Sequence, residues 1–217
     1  MDFLDAITEW VRDVVEAANY PGVVAMIALE NVFPPIPSEL VLPLSGFLAS
    51  RGDFPGPPAI AIPLTIVAAT LGSLIGALIL YAFGAFVSEE RVRGFLRRNG
   101  RYVLLSEDDY NRAERWFNNH GHQAVFIGRC IPGIRSLISI PAGVERMPMA
   151  PFIAYTAGGS AIWNTALISA GAVLGDQWDR ASEYVDVFTY VTIAVIAAAV
   201  AWFVLSRLRA RRRPAED

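Results

Sequence analysis

Four charged side chains stand inside apolar runs of this 217-residue chain, and they carry most of its chemical potential: Glu30, Glu39, Arg129 and Arg135. A charge at the centre of a bilayer costs about 2.5–3.5 kcal/mol on insertion scales, so intramembrane charges mark functional positions by default. Arginine stays protonated and offers a planar fork of donors that matches phosphate oxygens. Arg129 and Arg135 lie six residues apart around a Pro132-Gly133 break, which lets them converge on one anion as a straight helix would not guarantee. A carboxylate in an apolar cavity has its neutral form favoured by desolvation and its charged form favoured by a neighbouring guanidinium. Together these residues predict an exchange. Glu30 and Glu39 neutralise Arg129 and Arg135 when the site is empty, a phosphate group displaces them, and the released carboxylates take up protons.

The competing reading is a structural ion-pair network that locks two segments together, since buried pairs often serve specificity more than stability. Other reactive side chains are few. His120 and His122 read as interfacial or capping residues, and Cys130 as a small core residue; a lone cysteine excludes an intramolecular disulfide and a Cys-based metal cluster. There is no GxSxG, HExxH or P-loop pattern. The expectation is a protein that is not an enzyme and uses no metal or cofactor. A membrane lipid phosphatase and a proton-coupled small-molecule exporter remain as alternatives.

The elements that must position these charges are apolar. The chain is 54% hydrophobic and 18% charged, with mean hydropathy +0.40, which predicts an all-α, polytopic membrane protein forming one domain. Residues 1–19 show Phe3, Ile7, Trp10, Val14 and Ala18 at helical spacing opposite acids, an amphipathic surface helix. Residues 21–87 make a first unit. Its opening run, Gly22 to Phe33, breaks at Pro34-Pro35-Ile36-Pro37 and resumes to Ala49. Each arm has about 12 residues, roughly 18 Å at 1.5 Å per residue, against a hydrocarbon core of about 30 Å. Neither arm spans alone, so the pair predicts a re-entrant hairpin shielded by protein. After the turn-rich segment Ser50 to Pro58, the run Ala59 to Val87 is long enough to cross, with a GxxxG at Gly72 and Gly76.

Residues 88–120 are polar and arginine-rich, a cytoplasmic loop by the positive-inside rule, with a short helix opened by Ser106 and Asp109. Acids nearly balance the arginines there, which argues against nucleic acid. Residues 121–175 form a second unit, an arginine hairpin followed by a span from Pro151; residues 187–206 span again, and the basic tail 207–217 is expected inside. That orientation brings the glutamate hairpin in from outside and the arginine hairpin from inside. Aligning Gly22 with Gly121 sets Glu30 on Arg129, and Gly72-Ser73 and Gly84-Ala85 match Gly159-Ser160 and Gly171-Ala172. Two opposed re-entrant hairpins and about three full spans thus form an inverted repeat, the plan of secondary transporters. Small residues at Gly171, Gly175, Ala194 and Ala198 permit a homo-oligomer.

The blocks ENVFPPIPSE (30–39) with LPLSG, and FIGRCIPGIRSLISIPAG (126–143) with Met147, Phe152, Gly159 and Trp163, resemble the DedA family, also called the SNARE-associated or VTT-domain family. The resemblance covers about Gly22 to Gly175. It implies a multi-pass protein of the cytoplasmic membrane that moves phosphorylated polyprenyl carrier lipids, or phospholipids, with links to the proton-motive force. By motif it assigns functional roles to Glu30, Glu39, Arg129 and Arg135.

Overall fold

A computed structural model describes residues 3–33, 38–87, 89–103, 107–132 and 134–174, with the single positions 198 and 205. The expected span 187–206, the basic tail, the Pro34–Pro37 break and Ser106 lie outside these residues, apart from the helical positions 198 and 205. The elements are α1 (Phe3–Val32), α2 (Ser38–Arg51), α3 (Pro58–Val87), α4 (Glu89–Val103), α5 (Glu107–Arg129), α6 (Ile134–Leu137), α7 (Ser139–Val144) and α8 (Met149–Leu174). All regular structure among the described residues is helical.

α3 is turned inside out relative to a helix of a water-soluble protein. Its buried face is small or weakly polar, from Ala61 and Thr65 through Ala69, Gly72, Ser73 and Gly76 to Gly84. Its large residues Leu64, Val67, Leu71, Ile75, Ile79, Phe83 and Phe86 are exposed. In water the hydrophobic effect would bury those side chains. In lipid they cost nothing, and association relies on close packing of small residues. Among the described residues α3 is the helix long and apolar enough to cross a membrane by length and composition.

α1 is two helices joined at Asn19, which has φ 52 and ψ −129, followed by Pro21. The positive φ and the missing proline donor end the surface helix there. The Tyr20 hydroxyl donates to the Pro55 carbonyl at 2.7 Å, tying the break to the loop before α3. Only a glycine fits at position 22, where a Cβ would lie 2.6 Å from the Val14 carbonyl. The buried line of the surface helix runs through Val11 and Val15 with Val14 partly covered, while Trp10 remains 46% exposed. The predicted stripe through Trp10 and Ala18 is therefore rotated by one position, because contact with the second half of α1, imposed by the break, decides which face is covered.

The middle of the chain also differs from expectation. Residues 89–103 and 107–129 are helices, and α5 passes without interruption through Gly121 into the first arm of the arginine hairpin. Helical hydrogen bonding carries the polar stretch because its face is amphipathic. α4 is fixed to α5 by Arg93, whose guanidinium donates to Asn111 Oδ1 at 2.5 Å and Glu114 Oε2 at 2.7 Å and lies 4.9 Å from the Tyr110 ring.

The two hairpins exchange partners. The second half of α1 packs on α3 and the end of α5 on α8, so each first arm lies on the long helix of its own unit. The second arms cross over, α2 packing on α8 and α7 on α3. Close approaches repeat the pattern: Gly84 meets Ile140 and Gly171 meets Pro43, while Gly46 meets Ile168 and Gly143 meets Tyr81. The first-arm contacts reveal the register. Gly72 lies against Val24 and Ile27, and Gly159 against Phe126 and Arg129. Arg129 is thus the counterpart of Ile27, and the alignment that set Glu30 on Arg129 is shifted by three residues, close to one helical turn. A turn-sized shift leaves the same face toward the partner, which is why the apolar pattern could not separate the two registers.

Candidate functional site

Breaking the arginine hairpin brings its two cations to the end of α1. At the close of α5 the Cys130 and Ile131 amides bond back to Ile127 at 2.9 Å and Gly128 at 3.2 Å, a tightened final turn. The chain resumes helical bonding almost at once, the Arg135 amide reaching the Ile131 carbonyl at 3.1 Å. Arg129 therefore occupies the last turn of one helix and Arg135 the short helix after the break. Both are buried, at 2% and 7% exposure.

Two consecutive residues of α1 receive them. Glu30, 4% exposed, forms an ion pair through Oε1 with Arg135. Asn31 accepts at Oδ1 from Arg129 Nη1 at 3.2 Å and from the Ser136 hydroxyl at 3.2 Å, and its amide donates to the Ile27 carbonyl at 2.8 Å. Arg129 Nη2 donates to Ser139 Oγ on α7. Successive helical residues point about 100° apart, so the end of α1 reaches Arg135 with Glu30 and Arg129 with Asn31, the next residue. The small face of the long helices makes room. A Cβ at Gly76 would lie 2.4 Å from Asn31 Cβ, and one at Gly159 would lie 2.7 Å from Arg129 Cβ.

Glu30, Arg129 and Arg135 thus meet in one buried network. The expected pairing of Glu30 with Arg129 is replaced: Glu30 holds Arg135, and Arg129 is held by the neutral acceptors Asn31 and Ser139. Glu39 stands half-buried in the first turn of α2, beyond the Pro-rich break. Three polar atoms of the network have no hydrogen-bond partner: Glu30 Oε2, Arg129 Nε and Arg135 Nη2, the last of which is held by the ion pair with Glu30 alone. Sequence reasoning missed Asn31, Ser136 and Ser139. Only their closeness to Glu30 and Arg135 in the chain could have pointed to them, because neutral polar residues raise no insertion penalty large enough to stand out.

A polar seam continues from the network between α3 and α8. Ser73, Thr156, Ser160 and Asn164 are buried, and Asn164 donates to Thr70 Oγ1 at 3.3 Å and to Ser73 Oγ at 3.5 Å. Asn164 Oδ1 and Thr156 Oγ1 lack partners. His122, in contrast, stacks on Tyr155 and His120 on Trp116.

A family model described as the VTT domain matches residues 36–173. An "alkaline phosphatase-like protein" of Lactococcus lactis subsp. cremoris is 40% identical over 189 residues, covering 87% of this chain and 86% of the relative. "Undecaprenyl phosphate transporter A" of Staphylococcus aureus is 34% identical over 203 residues, covering 94% and 97%. The Bacillus subtilis protein of the same name is 31% identical over 206 residues, 94% of each chain. No solved structure matches the chain. With the family model spanning more than half of the residues and relatives aligned over most of both chains, this chain belongs to the VTT-domain, or DedA, family of membrane proteins.

Proposed function

We propose that this protein carries a phosphate-bearing lipid, a polyprenyl phosphate or a phospholipid, across the cytoplasmic membrane, with Arg129 and Arg135 receiving the phosphate. The observation that carries this reading is the charge balance of the buried network: two guanidiniums are buried with one carboxylate, Glu30, which pairs with Arg135, and Arg129 rests on neutral acceptors with its Nε unpartnered. A buried cation held by neutral groups keeps most of its attraction for an anion, because the low-dielectric surroundings screen it weakly. The relatives named as undecaprenyl phosphate transporters add support from the side of substrate class. In the proposed cycle the phosphate binds Arg129 first, then draws Arg135 from Glu30, and Glu30 takes up a proton on release; Glu39 is the second proton acceptor. The hairpins enter the membrane from opposite faces, so the exchange of partners between them gives each face a route to the same site.

The test uses purified protein in liposomes, following from outside the accessibility of labelled polyprenyl phosphate and of ordinary phospholipid. Transfer of either lipid, faster with a proton gradient, is expected. Transfer of neither would remove the reading, transfer of a tail-less solute alone would favour a small-molecule exporter, and release of inorganic phosphate would favour a phosphatase.

A further inference from the structure

A second concentration of cations lies away from the buried network, on α4. Arg91, Gly94, Phe95 and Arg98 follow the spacing of a single helical face. With Arg97 they line an open groove of about 630 Å³. Arg91, Phe95 and Arg98 are exposed. The helix cannot roll to hide them, since Arg93 on another face is engaged with Asn111 and Glu114 of α5.

α4 follows α3 after a single residue, so the groove lies at the end of the exposed apolar stripe of α3. That stripe closes with Ile79, Phe83 and Phe86, the last 73% exposed. Arg91 is mounted on it: its Cζ lies 4.8 Å from the centre of the Phe86 ring, and Nη1 donates to the Phe86 carbonyl at 2.5 Å. A Cβ at Gly94 would meet nothing, which leaves the floor of the groove open to a bulky group.

We propose that this groove binds an anionic phospholipid of the leaflet at the C-terminal end of α3, its phosphate between Arg91 and Arg98 and an acyl chain along Phe86, Phe83 and Ile79. Guanidiniums at the membrane surface attract acidic headgroups, and the adjoining apolar stripe supplies what a soluble anion would not use. Glu90 is exposed beside the groove, yet the described residues that line the groove are cationic or uncharged. The site is separate from Arg129 and Arg135 and does not depend on what the protein transports.

Native mass spectrometry of detergent-purified protein, titrated with phosphatidylglycerol or phosphatidylcholine, tests the proposal. One phosphatidylglycerol should be retained in preference to phosphatidylcholine, and Arg91→Gln with Arg98→Gln should weaken it about thirtyfold, at roughly one factor of five per arginine. Arg115→Gln, which removes an exposed arginine of α5, should leave retention unchanged. Equal retention of the two lipids, full retention by the double variant, or an equal loss in Arg115→Gln would each overturn the site, as would displacement of the lipid by millimolar inorganic phosphate. Arg98→Gln alone carries the same test if the double variant does not survive purification.

Discussion

Arg129 and Arg135 do different work although they share a charge. Arg129 spans two acceptors on separate helices, Asn31 on α1 and Ser139 on α7, with two nitrogens of one fork. Lysine has a point charge on a flexible stem and cannot keep both, so Arg129→Lys should lose most lipid transfer at normal protein levels. Arg135 depends on its ion pair. Removing Glu30 by Glu30→Gln leaves a buried cation uncompensated and should lower stability by about 3–5 kcal/mol, measurable as a fall in thermal midpoint. The inverted pair Glu30→Arg with Arg135→Glu should recover folded protein far better than transport, since it moves a carboxylate to the place proposed to receive the phosphate. Full recovery of transport would reduce the pair to a structural lock. Asn31→Asp is the converse change. It sets an anion against Arg129, at the loss of the amide that donates to the Ile27 carbonyl, and should slow transfer about tenfold or more, the equivalent of 1.4 kcal/mol in anion affinity. Unchanged transfer in that variant would count against a cationic site.

At the scale of elements, the positions of charge and breakage were legible in the sequence and their pairing was not. Glu30, Arg129 and Arg135 stood out because a charge in an apolar run is costly, and Pro132 because it interrupts that run. Which carboxylate meets which guanidinium depends on helix register, and a three-residue shift hardly alters the pattern of apolar residues. The contacts of Gly72 and Gly159 reveal that register because backbones pressed together tolerate no side chain. Trp10 shows the same limit: periodicity placed it on the buried stripe, but the turn at Asn19 presents Val11 and Val15 instead. Gly159 gives the element-scale prediction. Gly159→Ala would place a Cβ 2.6 Å from the Phe126 carbonyl and 2.7 Å from Arg129 Cβ, overpacking that costs about 1–3 kcal/mol and tilts Arg129 away from Asn31. Transfer should fall with stability. Gly94→Ala, which meets open space, should instead stabilise α4 by up to about 1 kcal/mol through helix propensity. A thermal shift of the same sign in both variants would show that the close approach at Gly159 does not constrain the helix.

Across the whole molecule, the exchange of second arms makes the two units interdependent. α2 lies on α8 and α7 lies on α3, so neither hairpin can leave its seat without loosening the long helix of the other unit, and the site at the end of α1 is built from both. An arrangement of that kind supports alternating access only if the two hairpins face opposite sides of the membrane. The orientation we propose follows the positive-inside rule: the arginines of α4 and α5 would set the end of α3 inside, and a single crossing by α3 would then set the loop before it outside. Asp53 in that loop and Asn118 on α5 are both exposed, so neither position has to be opened for a reagent to reach it. With Cys130 replaced by serine, Asp53→Cys should react with a membrane-impermeant maleimide added to intact cells, and Asn118→Cys only after the membrane is opened. Labelling of both from outside would put the two hairpins on one face and remove the opposed access that the exchange of arms requires, while reversed labelling would invert the molecule and keep its mechanism.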